Sequence, residues 1–533
     1  QRRRTVDYPD AGGRGNDYHS IHFHLYRRPE GLNQRNVFRS SQGLIPVTEK
    51  RIENCMKNEE KKMKKKVIAS ILAASMAAMA LTGCGGGKTT SEAQGATTDE
   101  TTASTEAGST ADGAEAPDLN QDMKGTTITF WHSMGGVNGE AMDYLVNKFN
   151  EENTDGITVE AVYQGEYDDT INKLKSAQIG NMGADLVQIY DIGTRFMIDS
   201  GWVIPMQELI NADGYDISQI EPNIAAYYTV NNELYSMPFN SSTPILYYNK
   251  DMFEKAGITE VPDSLEAIEE VGEQLLSKGG AGEVISLGIY GWFFEQFMGK
   301  QGLDYANNEN GRKEAATAVA FDENGGAANI LTAWKSLYDK GYAPNVGKGG
   351  DAGLADFSAG KSAITLGSTA SLKQILQDVN GKFEVGTAYF PKVKSSDEGG
   401  VSIGGASLWA LNNNDSKKAR ATWEFIKFLV SAESQAYWNA QTGYFPVTTD
   451  AHEEQVFKDN IAKYPQFQTA IDQLHDSSPE YVGALLSVFP EARATVESQI
   501  ESLLNGDQNV DETVSSMAEA INKSIEEYNL VNN

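Results

Sequence analysis

From residue 126 onward the chain alternates two apolar periods, and this alternation confines it to the α/β class. Residues 126–132 (TTITFWH) place apolar side chains at every second position, which suits a strand buried on one face. Residues 140–149 space them three and four apart, as one face of a helix does. The pattern continues with a strand over 157–163, a helix over 170–179, a strand over 185–190 (DLVQIY) and a helix leading to Gly201-Trp202. Strands separated by single helices predict parallel βαβ units with helices covering both faces of the sheet. The alternation resumes after Ser242, with helices over 264–276, 327–340, 417–429 and 432–440 and strands over 285–289, 363–366, 383–390 and 403–411. From about residue 452 the chain reads as mostly helical, with acidic faces.

Between these runs lies the stretch 235–253, YSMPFNSSTPILYYNKDMF. A β-rich run, 244–248, follows a polar Ser-Ser-Thr corner, and Asn249-Lys250-Asp251 opens a helix. Small hydroxyls beside two tyrosines at a change of direction are able to hold a small polar ligand. The same hydroxyls also serve to cap backbone groups at a strand-to-helix corner.

With 533 residues and 40% hydrophobic content, the chain has room for more than one globular unit with ordinary cores. The formal charge of -30 understates the acidity of the body, because residues 1–66 hold 16 Lys and Arg against 8 Asp and Glu. An acidic surface of this kind argues against nucleic acid as a partner, since phosphate neutralisation needs a basic face. Residues 1–55 begin with Gln, show no helical or strand period and contain His19, His22 and His24. They are expected to be an extension upstream of the working protein, with Met56 or Met63 as its start. Their histidines have no Cys or carboxylate frame that would make a metal site.

Residues 61–84, KKMKKKVIASILAASMAAMALTGC, have the charged start, short apolar centre and small-residue end of an export signal. The apolar part, 67–81, is shorter than the roughly 20 residues that span a bilayer. Its end, Leu81-Thr82-Gly83-Cys84, is similar to the lipobox of bacterial lipoproteins, so 56–84 is expected to be a signal peptide and Cys84 the lipidated residue. No other cysteine follows, which leaves no disulfide framework. Residues 85–123, rich in Gly, Ser, Thr, Ala and Glu and without an aromatic residue, read as a flexible tether between membrane and body.

Catalytic and cofactor motifs are not found. There is no Gly-x-Ser-x-Gly elbow, and no Gly-x-Gly-x-x-Gly follows a strand. The run ending Gly360-Lys361-Ser362 has Ala355 where a phosphate-cradling loop needs glycine. His132, His452 and His475 are scattered, without metal-ligand spacing or a paired nucleophile. An exported, tethered α/β chain of this kind points to a binding protein; an exported hydrolase would need an acid/base pair that the residues do not reveal.

Four segments, in order, carry a resemblance: FWHSM (130–134), PFNSSTPILYYNKD (238–251), GGASLW (404–409) and TGYFP (442–446). Through them the chain from residue 126 to its end resembles the extracellular solute-binding proteins of ABC importers, and within them the branch that binds glycerol 3-phosphate. The resemblance implies a two-lobed type II periplasmic-binding-protein fold with a hinge, crossed near Asn240, Ser402 and Thr442. One lobe would hold 124–240 and 402–442, the other 241–401 and 443–533. It implies a monomer without metal or cofactor that captures glycerol 3-phosphate or a glycerophosphodiester and delivers it to membrane permease subunits.

The resemblance also implies the ligand residues Tyr167, Asp191, Ser242, Ser368, Gly405, Tyr444 and Arg493. The family has Glu where this chain has Asp191, one methylene shorter. Arg493 would offer two parallel donors to phosphate oxygens as the single cation among neutral donors. Gly405 would let the ligand approach the backbone, and Trp292 would wall the cleft. The alternative ligand is an oligosaccharide, held by aromatic faces in place of Arg493.

Overall fold

A computed structural model of the chain describes residues 37–40, 43–46, 118–179, 183–478 and 480–532. The expected signal peptide, Cys84 and residues 85–117 of the expected tether lie outside the described residues. Within residues 1–55, Val37–Ser40 and Gly43–Pro46 pair as an antiparallel hairpin, although the sequence there shows no strand period. The described residues from 118 onward belong to the larger unit. Leu119 and Met123, expected within the tether, are buried in its core.

The principal strands of this unit are β1 Thr127–His132, β2 Thr158–Tyr163, β3 Leu186–Tyr190, β4 Met237–Ser242, β5 Pro244–Asn249, β6 Glu283–Ser286, β7 Ser362–Ser368, β8 Val385–Tyr389 and β9 Gly404–Ala410. They form two sheets, one ordered β2-β1-β3-β9-β4 and the other β6-β7-β5-β8. Each sheet with its helices is one lobe. The β1 strand buries alternate residues, whereas β3 is buried at every position, as a central strand covered on both faces must be. Helix Gly136–Glu152 buries Ala141, Met142, Leu145, Val146 and Phe149 along one stripe against the first sheet. Asn249 caps helix Lys250–Ala256 by accepting from the Met252 N–H.

The sheets are mixed, which corrects the expectation of parallel βαβ units throughout. The β1–β2, β1–β3 and β6–β7 pairs are parallel, while β9 runs antiparallel to β3 and β4, and β5 antiparallel to β7 and β8. Only Thr243 separates β4 from β5, and the two strands belong to different sheets. The Ser-Ser-Thr corner is therefore where the chain passes from one sheet to the other. Thr243 is fully buried there, and its backbone exchanges hydrogen bonds with the hydroxyl and N–H of Thr369.

The segment after Thr442 divides its packing. Phe445, Val447, Ala451 and Phe457 fill the core beneath the first sheet, whereas Phe489, Ala492, Val496 and Ile500 join the core of the second.

Candidate functional site

A cavity of about 1040 Å³ opens between the two lobes, and all eight residues expected at a ligand site line it. Most come from strand ends and helix starts, whereas Tyr444 follows the end of helix Ala432–Thr442 and Arg493 lies in the second turn of its helix. The N–H of Ser133 donates to Gln188 Oε1, Gln188 Nε2 to Asn240 Oδ1, and Asn240 Nδ2 to the Tyr167 hydroxyl at 2.9 Å. Gln188 and Asn240 are fully buried, so this relay satisfies costly amides and aims Tyr167 at the cavity. The Tyr167 ring stacks on Tyr190 at 5.3 Å. Tyr444 stacks on Trp438 at 6.0 Å across the hinge-side segment. Desolvation raises both phenols above their ordinary range, which keeps them neutral hydrogen-bonding groups.

Ser242 ends β4 and is buried. Ser368 ends β7; its Oγ accepts from the Ala370 N–H at 3.2 Å, and its carbonyl accepts from the Tyr247 hydroxyl at 2.6 Å. Gly405 sits in β9 at φ +99, pairing with Ser241. A Cβ there would collide with the Asn240 carbonyl oxygen, so the protein backbone by itself already requires glycine at this position. Trp292 is 4% exposed, and its Nε1 finds no acceptor among the described residues. A Cβ on Gly404 would stand 2.5 Å from its ring, so that glycine lets the indole lie on β9. Trp409 is fully buried core and Trp202 packs edge-on against Phe196; neither lines the cavity.

The charged part of the wall differs most from expectation. Arg493, in helix Phe489–Asn505, gives its two parallel donors to a protein carboxylate: Nε to Glu295 Oε1 and Nη2 to Glu295 Oε2, both at 2.8 Å. Asp191 Oδ2 lies 3.4 Å from Nη2, and the Tyr290 ring stands 5.6 Å from the guanidinium. Arg493 is thus not a lone cation among neutral donors. A guanidinium this deeply buried costs several kcal/mol unless an anion accompanies it, and Glu295 supplies one. Burial raises the carboxyl pKa of both Asp191 and Glu295 against the pull of Arg493, and it raises that of nearby Glu497 as well.

The sequence did not point to Glu295, Gln188 or Tyr290, and it pointed to Asn240 only as a crossing between lobes. Glu295 had a signal: an acid inside the apolar run GWFFEQF of helix Gly291–Lys300 is headed for the interior and needs a cation there.

A cleft between two lobes, lined by polar groups from both, defines a ligand-binding protein of the two-lobed kind. The family model for bacterial extracellular solute-binding proteins matches residues 144–469. The sn-glycerol-3-phosphate-binding periplasmic protein UgpB of Salmonella typhimurium is 33% identical over 400 residues, covering 72% of this chain and 89% of that protein. UgpB of Escherichia coli (strain K12) is 31% identical over 414 residues, covering 76% and 93%. Among solved structures, UgpB from Mycobacterium tuberculosis in complex with glycerophosphocholine is similar at TM-score 0.65 and 23% identity, over 76% of this chain and 99% of that one. The GacH receptor of Streptomyces glaucescens, solved unliganded and with acarbose, is similar at TM-score 0.62 and 22% identity, over 75% and 98%. The chain belongs to the family of bacterial extracellular solute-binding proteins.

Proposed function

We propose that this protein captures glycerol 3-phosphate or a glycerophosphodiester in the interlobe cleft and delivers it to the permease of an ABC importer. The observation that carries the reading is the convergence of Tyr167, Asp191, Ser242, Ser368, Gly405, Tyr444 and Arg493 on one cavity, although they are scattered over more than three hundred residues of chain. Hydroxyl donors and one guanidinium suit a polyol joined to a phosphate. The identity to glycerol-3-phosphate-binding proteins supports the same ligand class. The protein works as a monomer without metal or cofactor, held at the outer face of the membrane by a lipid on Cys84 after cleavage of the 56–84 signal. The lobes are read as 124–240 with 402–442 and 241–401 with 443–533, joined by a hinge, with Phe445, Val447, Ala451 and Phe457 of the last segment packing back onto the first lobe.

A second reading is an oligosaccharide ligand, favoured by the cavity's size and by Trp292, Tyr163 and Tyr290 in its lining. Calorimetric titration with glycerol 3-phosphate, glycerophosphocholine and maltose separates the two. Binding of a phosphoester without maltose is expected; maltose alone would move the affinity to the aromatic wall.

A further inference from the structure

The edge of Arg493 best shaped to grip a phosphate is already occupied. Glu295 holds Nε and Nη2 together, oxygen to nitrogen in parallel, which is the geometry that a phosphate would use. We propose that Glu295 is an internal stand-in for the ligand's anionic group: an anionic ligand reaches Arg493 by displacing the Glu295 carboxylate, and the displaced carboxylate takes up a proton from solvent. This rests on the phosphoester reading above.

The reason is charge. Around Arg493, Glu295 is joined by Asp191 from the turn after β3 and by Glu497, whose Oε1 accepts from the Gly291 N–H at 3.0 Å. Two carboxylates already share one buried guanidinium, and a third, that of Glu497, lies within its electrostatic reach. Adding a phosphate would leave Glu295 buried without its cation, in a place where burial disfavours the charged form. The remaining neighbours offer little relief. Tyr290 faces Glu295 from the start of its own helix, Tyr227 from helix Pro222–Tyr228, and Tyr305 from the loop beyond; all are neutral phenols. Glu295 does not line the cleft itself; it borders a smaller cavity of about 280 Å³ behind Arg493, whose wall carries Arg312, Asp304, Glu309 and Glu480. Arg312 spends its donors on the carbonyls of Gly483, Tyr227 and Val482, which leaves it poorly placed to replace Arg493. A proton is the remaining way to discharge Glu295.

The test is calorimetry of the whole protein in buffers of differing ionisation enthalpy. Glycerophosphocholine is the first probe, because its phosphodiester stays singly charged and any proton counted belongs to the protein. Uptake approaching one proton per ligand is expected, with affinity rising up to about tenfold for each unit fall in pH across the neutral range. The Glu295→Gln variant should lose that uptake and bind the anionic ligand more tightly. If only glycerol 3-phosphate binds, its own phosphate proton is common to both proteins and cancels in their difference. Should the variant fail to fold, the pH series of the native protein decides alone. Phosphoester binding that takes up no proton and is flat with pH overturns this proposal and leaves the phosphoester reading intact. Failure of every phosphoester to bind overturns both.

Discussion

Along one part of the cavity wall Arg493 and Asp191 meet, with Glu295 paired to Arg493 from behind the wall; along another, Ser242, Ser368, Tyr167 and Tyr444 present hydroxyls. The charged part is complete without a ligand, because a buried charge must be neutralised by the protein itself. The neutral part tolerates spare hydrogen-bonding capacity, because a hydroxyl at a cavity rim is solvated until something replaces the water. A ligand therefore meets competition at one part of the wall and open groups at the other. Affinity should be won chiefly from the neutral part, and selection among anions made at the charged one.

The largest effect that bears on this contrast is expected from Arg493→Ala. On the phosphoester reading it removes a charge-assisted contact to the ligand, worth about 1.5–3 kcal/mol. It also leaves Glu295 and Asp191 buried without their cation, which costs about 3–5 kcal/mol of stability. Urea unfolding should show that loss, and the double variant Arg493→Ala with Glu295→Gln should recover part of it. If the single variant is as stable as the native protein, the cluster is not self-neutralising and the contrast fails.

Gly405→Ala comes next and separates scaffold from site. Its added Cβ meets the Asn240 carbonyl and forces a non-glycine residue to φ +99, a backbone cost of about 1–3 kcal/mol. The loss should appear mainly in thermal unfolding, with binding reduced because Asn240 also orients Tyr167. A variant of native stability with lost binding would instead return Gly405 to the role of letting the ligand approach.

The same contrast explains what could be read from the sequence. Local periods place β1, β3 and helix Gly136–Glu152, because alternation over a few residues decides which face is buried. Strand direction depends on where distant segments return: β9 enters the first sheet only after the chain has built most of the second, so its antiparallel pairing with β3 leaves no local mark. Within the site, the hydroxyl corner is legible because FNSSTP is contiguous. The charged cluster is not, since Asp191, Glu295 and Arg493 lie about a hundred and two hundred residues apart and only the fold joins them. Resemblance carried Arg493 to its place in the cavity but said nothing of the carboxylate that holds it.

The smallest expected effect, from Ser368→Ala, is also the sharpest test of the neutral wall. The Ser368 Oγ accepts from the Ala370 N–H and so caps the three-residue turn Thr369–Ser371, while its hydroxyl proton is left to donate. A short cap of this kind is worth about 1 kcal/mol, and a neutral donor to a ligand about the same. If Ser368 serves only the turn, alanine lowers the melting temperature slightly and leaves the dissociation constant where it was. If it also donates into the cleft, affinity falls by about fivefold, which is what 1 kcal/mol means for an equilibrium constant. Titration and melting of the same variant distinguish the two, because the cap is present in free and bound protein alike and cancels from the affinity. Threonine at this position should restore both, since it keeps the hydroxyl at the end of β7, where β-branched residues are well accommodated.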